Sequence, residues 1–441
     1  MPADKTVAPR PASSPAPDSA AALAPAPWRW VVLLNAPHRL AFFSAAVVMT
    51  LSAAWWWVEI FSRLPAGPLA HAGLTLGAAV PATFVHALVM SLGFMPLFFC
   101  GFLFTAGPKW LQMPEVAASA IARPVAVMVL GWAGWLIGAH VGHLLAAAGL
   151  VLVVGGWARL TVRFIDLVRR SPARDRLHAS VIAVACVVGV AVLASAAVGA
   201  LAQHWAAVRL AALLGLWWFV VPVYVTVAHR MIPFFTASAL PVLDAWRPNW
   251  LLWTLLAAVG LQGGWVLTDA LAWQSPGLNG ARVFSSGVFG LLVLALAVRW
   301  GLVQSLRIRL LAMLHLGFVW LGVALLLDAV AVACESISGV TLNLLPLHAL
   351  TMGFLGSVLI AMVTRVSCGH GGRPLAADNL VWGLFWTLQG AVVLRLVGAI
   401  WAAQAPVILL AAASVWLIAV GGWAVRYGRW YGRPRLDGRP G

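Results

Sequence analysis

The stretch HALTMGFLGSVLIAMVTRVSCGHGGRPL, from His348 to Leu375, decides the fold. It places a histidine near the start of an apolar run of membrane-spanning length and ends in a cluster of arginine, glycine and histidine. A similar theme lies upstream in FVHALVMSLGFMPLFFCGFLFTAGPKW, from Phe84 to Trp110. Imidazole in hydrocarbon is costly unless something binds it. Two apolar helices that carry His-Ala-Leu-x-Met near one end therefore indicate a bound metal or cofactor.

The composition is that of a membrane protein. Of the 441 residues, 63% are hydrophobic and only 9% are charged, whereas soluble domains have about 25% charged residues. Lipid requires each spanning segment to satisfy its own backbone hydrogen bonds. Apolar runs of about 20 residues without alternation exclude a β-barrel. The sequence therefore predicts an all-α polytopic membrane protein.

Apolar length predicts about twelve transmembrane helices, numbered here as spans 1 to 12. Their predicted bounds are 40–58, 81–106, 124–145, 148–168, 178–200, 208–229, 249–269, 283–302, 308–330, 342–364, 378–399 and 405–425. The transmembrane domain is predicted over residues 39–426. A Pro/Ala-rich disordered tail is predicted for residues 1–38, and a basic tail for residues 427–441.

The basic residues are distributed asymmetrically. The formal net charge is +16, and all but four of the 28 Lys and Arg residues fall in the tails or in loops on one side of the predicted membrane. The four exceptions are Arg63, Arg209, Arg282 and Arg395. Positive charge in short loops marks the cytoplasmic side. We therefore predict both termini in the cytoplasm, with the chain in the cytoplasmic (inner) membrane. Lipid is the expected partner and nucleic acid is not.

Two histidines lie at matching depth. His86 is about five residues inside span 2 and His348 about six residues inside span 10, both counted from the outer side, which places each roughly 8–9 Å deep. A planar macrocycle between two helices needs ligands at one height, and haem takes axial histidines in helical bundles. We therefore predict His86 and His348 as axial haem ligands. The alternative is that each histidine only bonds to a neighbouring helix.

Three further histidines predict a second metal site towards the inner side. His315 lies in span 9, His229 at the inner end of span 6, and His370 in the loop after span 10. Imidazole, with or without thiolate, suits copper or zinc. His140 and His143 are predicted on one face of span 3 as interfacial polar residues. A solvated surface position is predicted for His38, His71, His178 and His204.

Arginines beside glycine or proline mark the inner helix ends. Arg365 and Arg373 either anchor these ends by the positive-inside effect or pair with haem propionates. The second alternative competes with a haem in the outer half of the membrane, from which these arginines would be too far. Carboxylates are absent from span centres, which weakens a proton-coupled carrier as an explanation.

Four motifs carry a resemblance to the NnrS family of bacterial haem- and copper-containing membrane proteins. They are Gly101–Ala106 with Pro108 and Trp110, Arg230–Thr236, Leu314–Phe318, and His348 to Arg365 with Gly369–Pro374. The resemblance covers nearly all twelve spans. It implies haem, copper and a role in tolerance to nitric oxide and nitrosative stress, with nitric oxide as the ligand of the metal.

One motif departs from the family pattern. Where the family usually reads His-x-His-Glu-Met in span 2, this chain keeps His86 but has Leu88 and Val89 in place of the second histidine and the acid. His229 stands where the family usually has glycine. These departures are typical of a divergent paralogue. The alternatives are a cofactor-free transporter and a membrane assembly subunit, and the sequence does not decide whether the protein is an enzyme.

Overall fold

Twelve membrane-length helices form a closed bundle. The computed structural model describes residues 27–64, 77–342 and 344–438. Within these residues every regular element is helical, which confirms the predicted all-α fold and the number of spans. The spans run over Pro37–Ser62, Ala82–Leu103, Ser119–Val141, His143–Arg170, Leu177–Leu201, Trp205–Ala239, Asn249–Ala270, Pro276–Arg299, Arg309–Ser338, Leu344–His370, Asn379–Ile400 and Ala405–Tyr431.

The first and last described segments of the chain meet at one end of the bundle. The Nη1 atom of Arg39 in span 1 donates to two carbonyl oxygens. One belongs to Tyr431, the last residue of span 12, 3.1 Å away, and the other to Arg433 just after the helix, 2.6 Å away. The backbone N–H of Arg29 donates to Gly432. We call this the terminal end and the other the far end. Most of the predicted tail 1–38 lies outside the described residues, and its side of the membrane stays a prediction.

The outer spans surround a small group of inner ones. Spans 3 and 4, 4 and 5, 8 and 9, and 11 and 12 pack as sequential neighbours, and span 12 also packs on span 1. Spans 2 and 10 are the most buried, followed by spans 6 and 9. The two histidine-bearing segments with the shared motif are therefore inner helices.

Three inner spans contain a wide π-helical turn. These turns are Val89–Gly93 in span 2, Leu216–Val220 in span 6 and Ala349–Gly356 in span 10. A π turn adds a residue to the helical repeat and is frequent at functional sites. In spans 2 and 10 the wide turn begins one to three residues after the histidine of the shared motif.

Several predicted boundaries were wrong, by up to ten residues. Span 6 continues past His229 through Pro233 to Ala239. Span 10 continues to His370, so this histidine is the last residue of a helix and not part of a loop. The turn between spans 3 and 4 falls at Gly142, which separates His140 from His143 onto different helices. Hydropathy alone does not locate these ends because polar residues at the ends of long helices are solvated without breaking the helix.

Local signals explain some of the helix ends. Ser275 and Asp378 cap spans 8 and 11 by accepting a hydrogen bond from the backbone three residues later, and Pro276 follows the first of these caps. Gly339 adopts a left-handed backbone with φ of 71° directly after span 9. Capping residues satisfy the free N–H groups of a helix start, and glycine takes the left-handed conformation at a helix end without a steric penalty.

Candidate functional site

The two histidines of the shared motif occupy equivalent positions at the far end. His86 lies four residues after the start of span 2, and His348 lies four residues after the start of span 10. Each is therefore about 6 Å along its helix from that end. The two histidines therefore lie at the same end of the bundle, and their role as a ligand pair stays a prediction.

The hydrogen bonds of His348 fix its tautomer. Its Nδ1 atom lies 2.8 Å from the carbonyl oxygen of Leu344. A carbonyl only accepts, so Nδ1 carries the proton and Nε2 keeps a free lone pair. Metal-binding histidines typically donate their second ring N–H to a carbonyl or carboxylate in this way. Nε2 is therefore the ring nitrogen of His348 that can accept a hydrogen bond or bind a metal.

His86 is oriented by an aromatic ring. Its imidazole stacks on the indole of Trp56 in span 1, with ring centroids 3.9 Å apart and an interplanar angle of 26°. Its Nδ1 atom is buried without a hydrogen-bond partner among the described residues. A buried ring nitrogen without a partner is unfavourable. Binding of a ligand at this histidine would remove that cost.

Arg395 lies near the two histidines. The sequence-based prediction of the site does not include it. It lies in span 11, five residues before Ile400 at the far end, and interacts electrostatically with both His86 and His348. Within the described part of the chain it makes no hydrogen bond, ion pair or ring contact. An ionisable side chain within a span was the signal that could have identified it.

Arg365 and Arg373 lie away from this site. Arg365 follows His348 by 17 residues in the same span, which corresponds to about 25 Å of helix. Its guanidinium sits over the ring of Phe235 at 3.8 Å, and that of Arg373 sits over Trp430 at 3.9 Å. Burial, followed by the charge of Arg426, lowers the pKa of Arg373. Both arginines thus belong to the terminal end and are not brought to the His86–His348 pair.

The three histidines of the predicted second site have separate partners. The Nε2 atom of His315 lies 2.9 Å from the Thr236 hydroxyl oxygen. The Nδ1 atom of His229 lies 3.0 Å from Nε2 of His178, and the ring of His370 lies 4.5 Å from that of His38. Among the described residues no group of three or more His, Cys, Asp or Glu side chains is arranged to hold a metal.

Two of the surface predictions were wrong. His38 and His178 are only 2% and 3% exposed, because each packs against a histidine from another span. His204 is exposed, as predicted, and His71 lies outside the described residues. Such pairings depend on which helices become neighbours, and a single sequence does not encode that in any local pattern.

Polar side chains connect the middle of span 10 to neighbouring helices. Gln389 of span 11 donates to Ser357 of span 10 and accepts from the indole of Trp320 in span 9, at 2.8 Å each. Nearer the terminal end, Trp423 of span 12 donates to Thr364 at 3.0 Å. These bonds fix the height of span 10, and therefore of His348, relative to three neighbouring helices.

Fold and site together define a twelve-span helical membrane protein with paired histidines at one end of its inner helices. A search of curated proteins found no match for the chain. The sequence model of the family described as NnrS protein matches residues 32–435, nearly the whole chain. The chain belongs to the NnrS family, whose membership indicates a membrane protein related to the response to nitric oxide.

Proposed function

We propose that this protein binds haem between spans 2 and 10, with His86 and His348 as axial ligands, and acts in the tolerance of bacteria to nitric oxide at the cytoplasmic membrane. The proposal rests on the hydrogen bonding of the two imidazoles. One has an unprotonated Nε2 atom and the other a buried nitrogen without a partner among the described residues, and each lies four residues from the far-end start of an inner helix.

The residues present fit this group chemically. Two neutral imidazoles supply the nitrogen ligands that haem iron takes in helical bundles. Trp56 and the Leu344 carbonyl hold the two rings in fixed orientations before any ligand arrives. When bound, haem would supply an iron that exchanges electrons and that accepts nitric oxide once an axial position opens.

The test is the absorption spectrum of the purified protein. We expect a Soret band, and its loss in both His86→Ala and His348→Ala, because each variant removes one axial ligand. His204→Ala is the matched control, since His204 is an exposed histidine at the same end of the bundle. An unchanged Soret band in both ligand variants would disprove the assignment. Purified protein without iron and copper would favour a cofactor-free transporter.

The family resemblance also implies copper. We propose that His229 is one of its ligands. The facing nitrogen atoms of His229 and His178 are 3.0 Å apart, and Nε2 of His229 lies 3.2 Å from the Pro248 carbonyl oxygen. Two metal–nitrogen bonds of about 2 Å at a right angle give a similar separation. An imidazole–imidazole hydrogen bond explains the same distance. Elemental analysis of His229→Ala and His178→Ala separates the two, because only a metal site loses copper while iron is retained.

His315 and His370 stay candidates for this copper on the same test. Their variants are compared with His204→Ala, and a copper content that is unchanged in the His178, His229, His315 and His370 variants would exclude these four histidines as copper ligands.

A further inference from the structure

Arg395 is an uncompensated cation inside a membrane span. Several arginines within or beside the spans have acceptors: Arg282 has two aspartates, Arg39 two carbonyls, and Arg63 has Glu59. Among the described residues, Arg163 in span 4 and Arg209 in span 6 have none. Within the described residues Arg395 has no such acceptor. Its side chain is half-buried, near the far-end third of the span. Ionisable side chains within spans usually pair with a group of opposite charge, so an anion bound by the protein is a fitting partner.

The helix register places Arg395 at the level of the histidine pair. Gln389 and Ser357 are hydrogen-bonded, so they define one height in spans 11 and 10. Arg395 is six residues nearer the far end than Gln389, which is about 9 Å. His348 is nine residues nearer that end than Ser357, which is about 13 Å. The difference is less than one helical turn, and spans 10 and 11 are in direct contact along this stretch.

The three side chains together favour a ligand that carries both a metal and an anionic group. His86 and His348 offer neutral nitrogen donors, and Arg395 offers a guanidinium, which grips carboxylates through two parallel hydrogen bonds. Neither histidine supplies a negative charge to Arg395. The site thus combines donors for a metal with one cation for an anionic substituent on the same molecule.

We propose that Arg395 binds a carboxylate of the porphyrin held by His86 and His348, which makes it the residue that selects porphyrins with free propionates. This inference rests on the proposed haem binding. It assigns to Arg395 the role for which Arg365 and Arg373 are too distant. Because Arg395 sits on span 11, it also makes a third helix part of the site.

The experiment compares haem with haem dimethyl ester, in which both carboxylates are masked. Apoprotein in neutral phosphatidylcholine nanodiscs is titrated with each compound and the Soret band gives the Kd. We expect the unmodified protein to bind haem at least tenfold more tightly than the ester. Arg395→Gln should bind both compounds equally, and Arg395→Lys should restore part of the preference. Arg209→Gln is the matched control, an exposed arginine at the same end of the bundle, and should keep the full preference.

The outcomes separate this inference from the proposed function. If neither compound gives a Soret band with the unmodified protein, haem binding itself fails and the role of Arg395 falls with it. If both bind but Arg395→Gln retains the preference for free haem, only the role of Arg395 is wrong. If the preference vanishes when phosphatidylglycerol replaces phosphatidylcholine in discs of unmodified protein, a lipid headgroup occupies Arg395 and the propionate assignment is overturned.

Discussion

At the scale of single residues, the two ligand candidates are held by different forces. A hydrogen bond to the Leu344 carbonyl orients His348, whereas His86 has no such bond at Nδ1 and is oriented by its stack on Trp56. Stacking fixes the plane of a ring but leaves both nitrogens free. The position of His86 therefore depends on one neighbouring side chain from span 1.

Replacing Trp56 with leucine should weaken haem binding without removing a ligand. Loss of a group that orients a metal ligand typically costs about 10–100-fold in affinity. We expect a rise of that size in the haem Kd for Trp56→Leu, and a smaller one for Trp56→Phe, measured by titration of apoprotein. Trp57→Leu is the control, because Trp57 stacks on Phe61 and donates to Ser414 instead. Equal Kd values for Trp56→Leu and Trp57→Leu would contradict this role.

The sequence identifies the histidine pair but not its surroundings. His86 and His348 share a local motif and a depth, and both are readable along one chain. Trp56 and Arg395 reach the pair from spans 1 and 11, and His178 reaches His229 from span 5. Those partners depend on the order of helices around the bundle. Hydropathy predicts that a helix crosses the membrane, but it does not predict which helices touch.

At the scale of elements, the His-Ala-Leu-x-Met motif of spans 2 and 10 is accompanied by a wide helical turn in each span. In both spans 2 and 10 a hydroxyl within the wide turn bonds back to a carbonyl four residues earlier: Ser91 to Ala87, and Thr351 to Leu347. Such bonds loosen and bend a helix because they compete for its carbonyl groups. The motif thus places a histidine directly before a helical segment that is easier to widen.

Spans 9 and 10 meet through glycine. A Cβ atom at Gly317 would lie 2.9 Å from the backbone nitrogen of Val358, and one at Gly353 would lie 2.7 Å from the ring of Trp320. Close approach of backbones through small residues is the usual way in which membrane helices associate. This contact sits next to Ser357, so it also supports the height of His348.

Gly317→Ala should therefore destabilise the bundle. Inserting a methyl group into a filled contact costs about 1–3 kcal/mol, and we expect a lower Tm in detergent by light scattering and intrinsic fluorescence. Gly264→Ala in span 7 is the control, because a Cβ there meets nothing within 4 Å. It should leave the Tm unchanged or raise it, since alanine favours helix over glycine. A Tm loss of equal size in both variants would show that helix geometry, not the contact, is responsible.

At the scale of the whole molecule, one buried ion pair joins the outer spans to the core. Arg282 of span 8 binds Asp328 of span 9 at 2.7 Å and Asp269 of span 7 at 2.9 Å. Ser286 also donates to Asp328, 2.8 Å away. Asp328 is only 6% exposed, so these donors replace the water that its carboxylate has lost. Spans 7 to 9 therefore form one unit at the far end.

Asp328→Asn should weaken the contact between spans 7, 8 and 9 at the far end. Removing one partner of a buried pair costs about 3–5 kcal/mol, and the remaining bond to Asp269 places the expected loss of unfolding free energy at the lower end. Asp244→Asn is the control, because its pair with Arg299 is exposed and such pairs contribute little. The measurement is Tm together with protease sensitivity of the loop between spans 7 and 8. Matching Tm values for the two variants would show that the buried pair does not hold the unit together.

The asymmetry of basic residues predicts which end of the bundle faces the cytoplasm. Gln274, between spans 7 and 8 at the far end, and Gln304, between spans 8 and 9 at the terminal end, are both exposed and uncharged. Cysteine at either position leaves the charge balance that orients the protein unaltered. We expect a membrane-impermeant maleimide to label Gln274→Cys in intact cells and Gln304→Cys only after permeabilisation. The native cysteines 100, 186 and 368 are buried, and the half-buried Cys334 is replaced by serine in both variants and in the background protein. Labelling of Gln304→Cys in intact cells would reverse the topology and place the histidine pair and Arg395 near the cytoplasm, where a different source of haem would have to be considered.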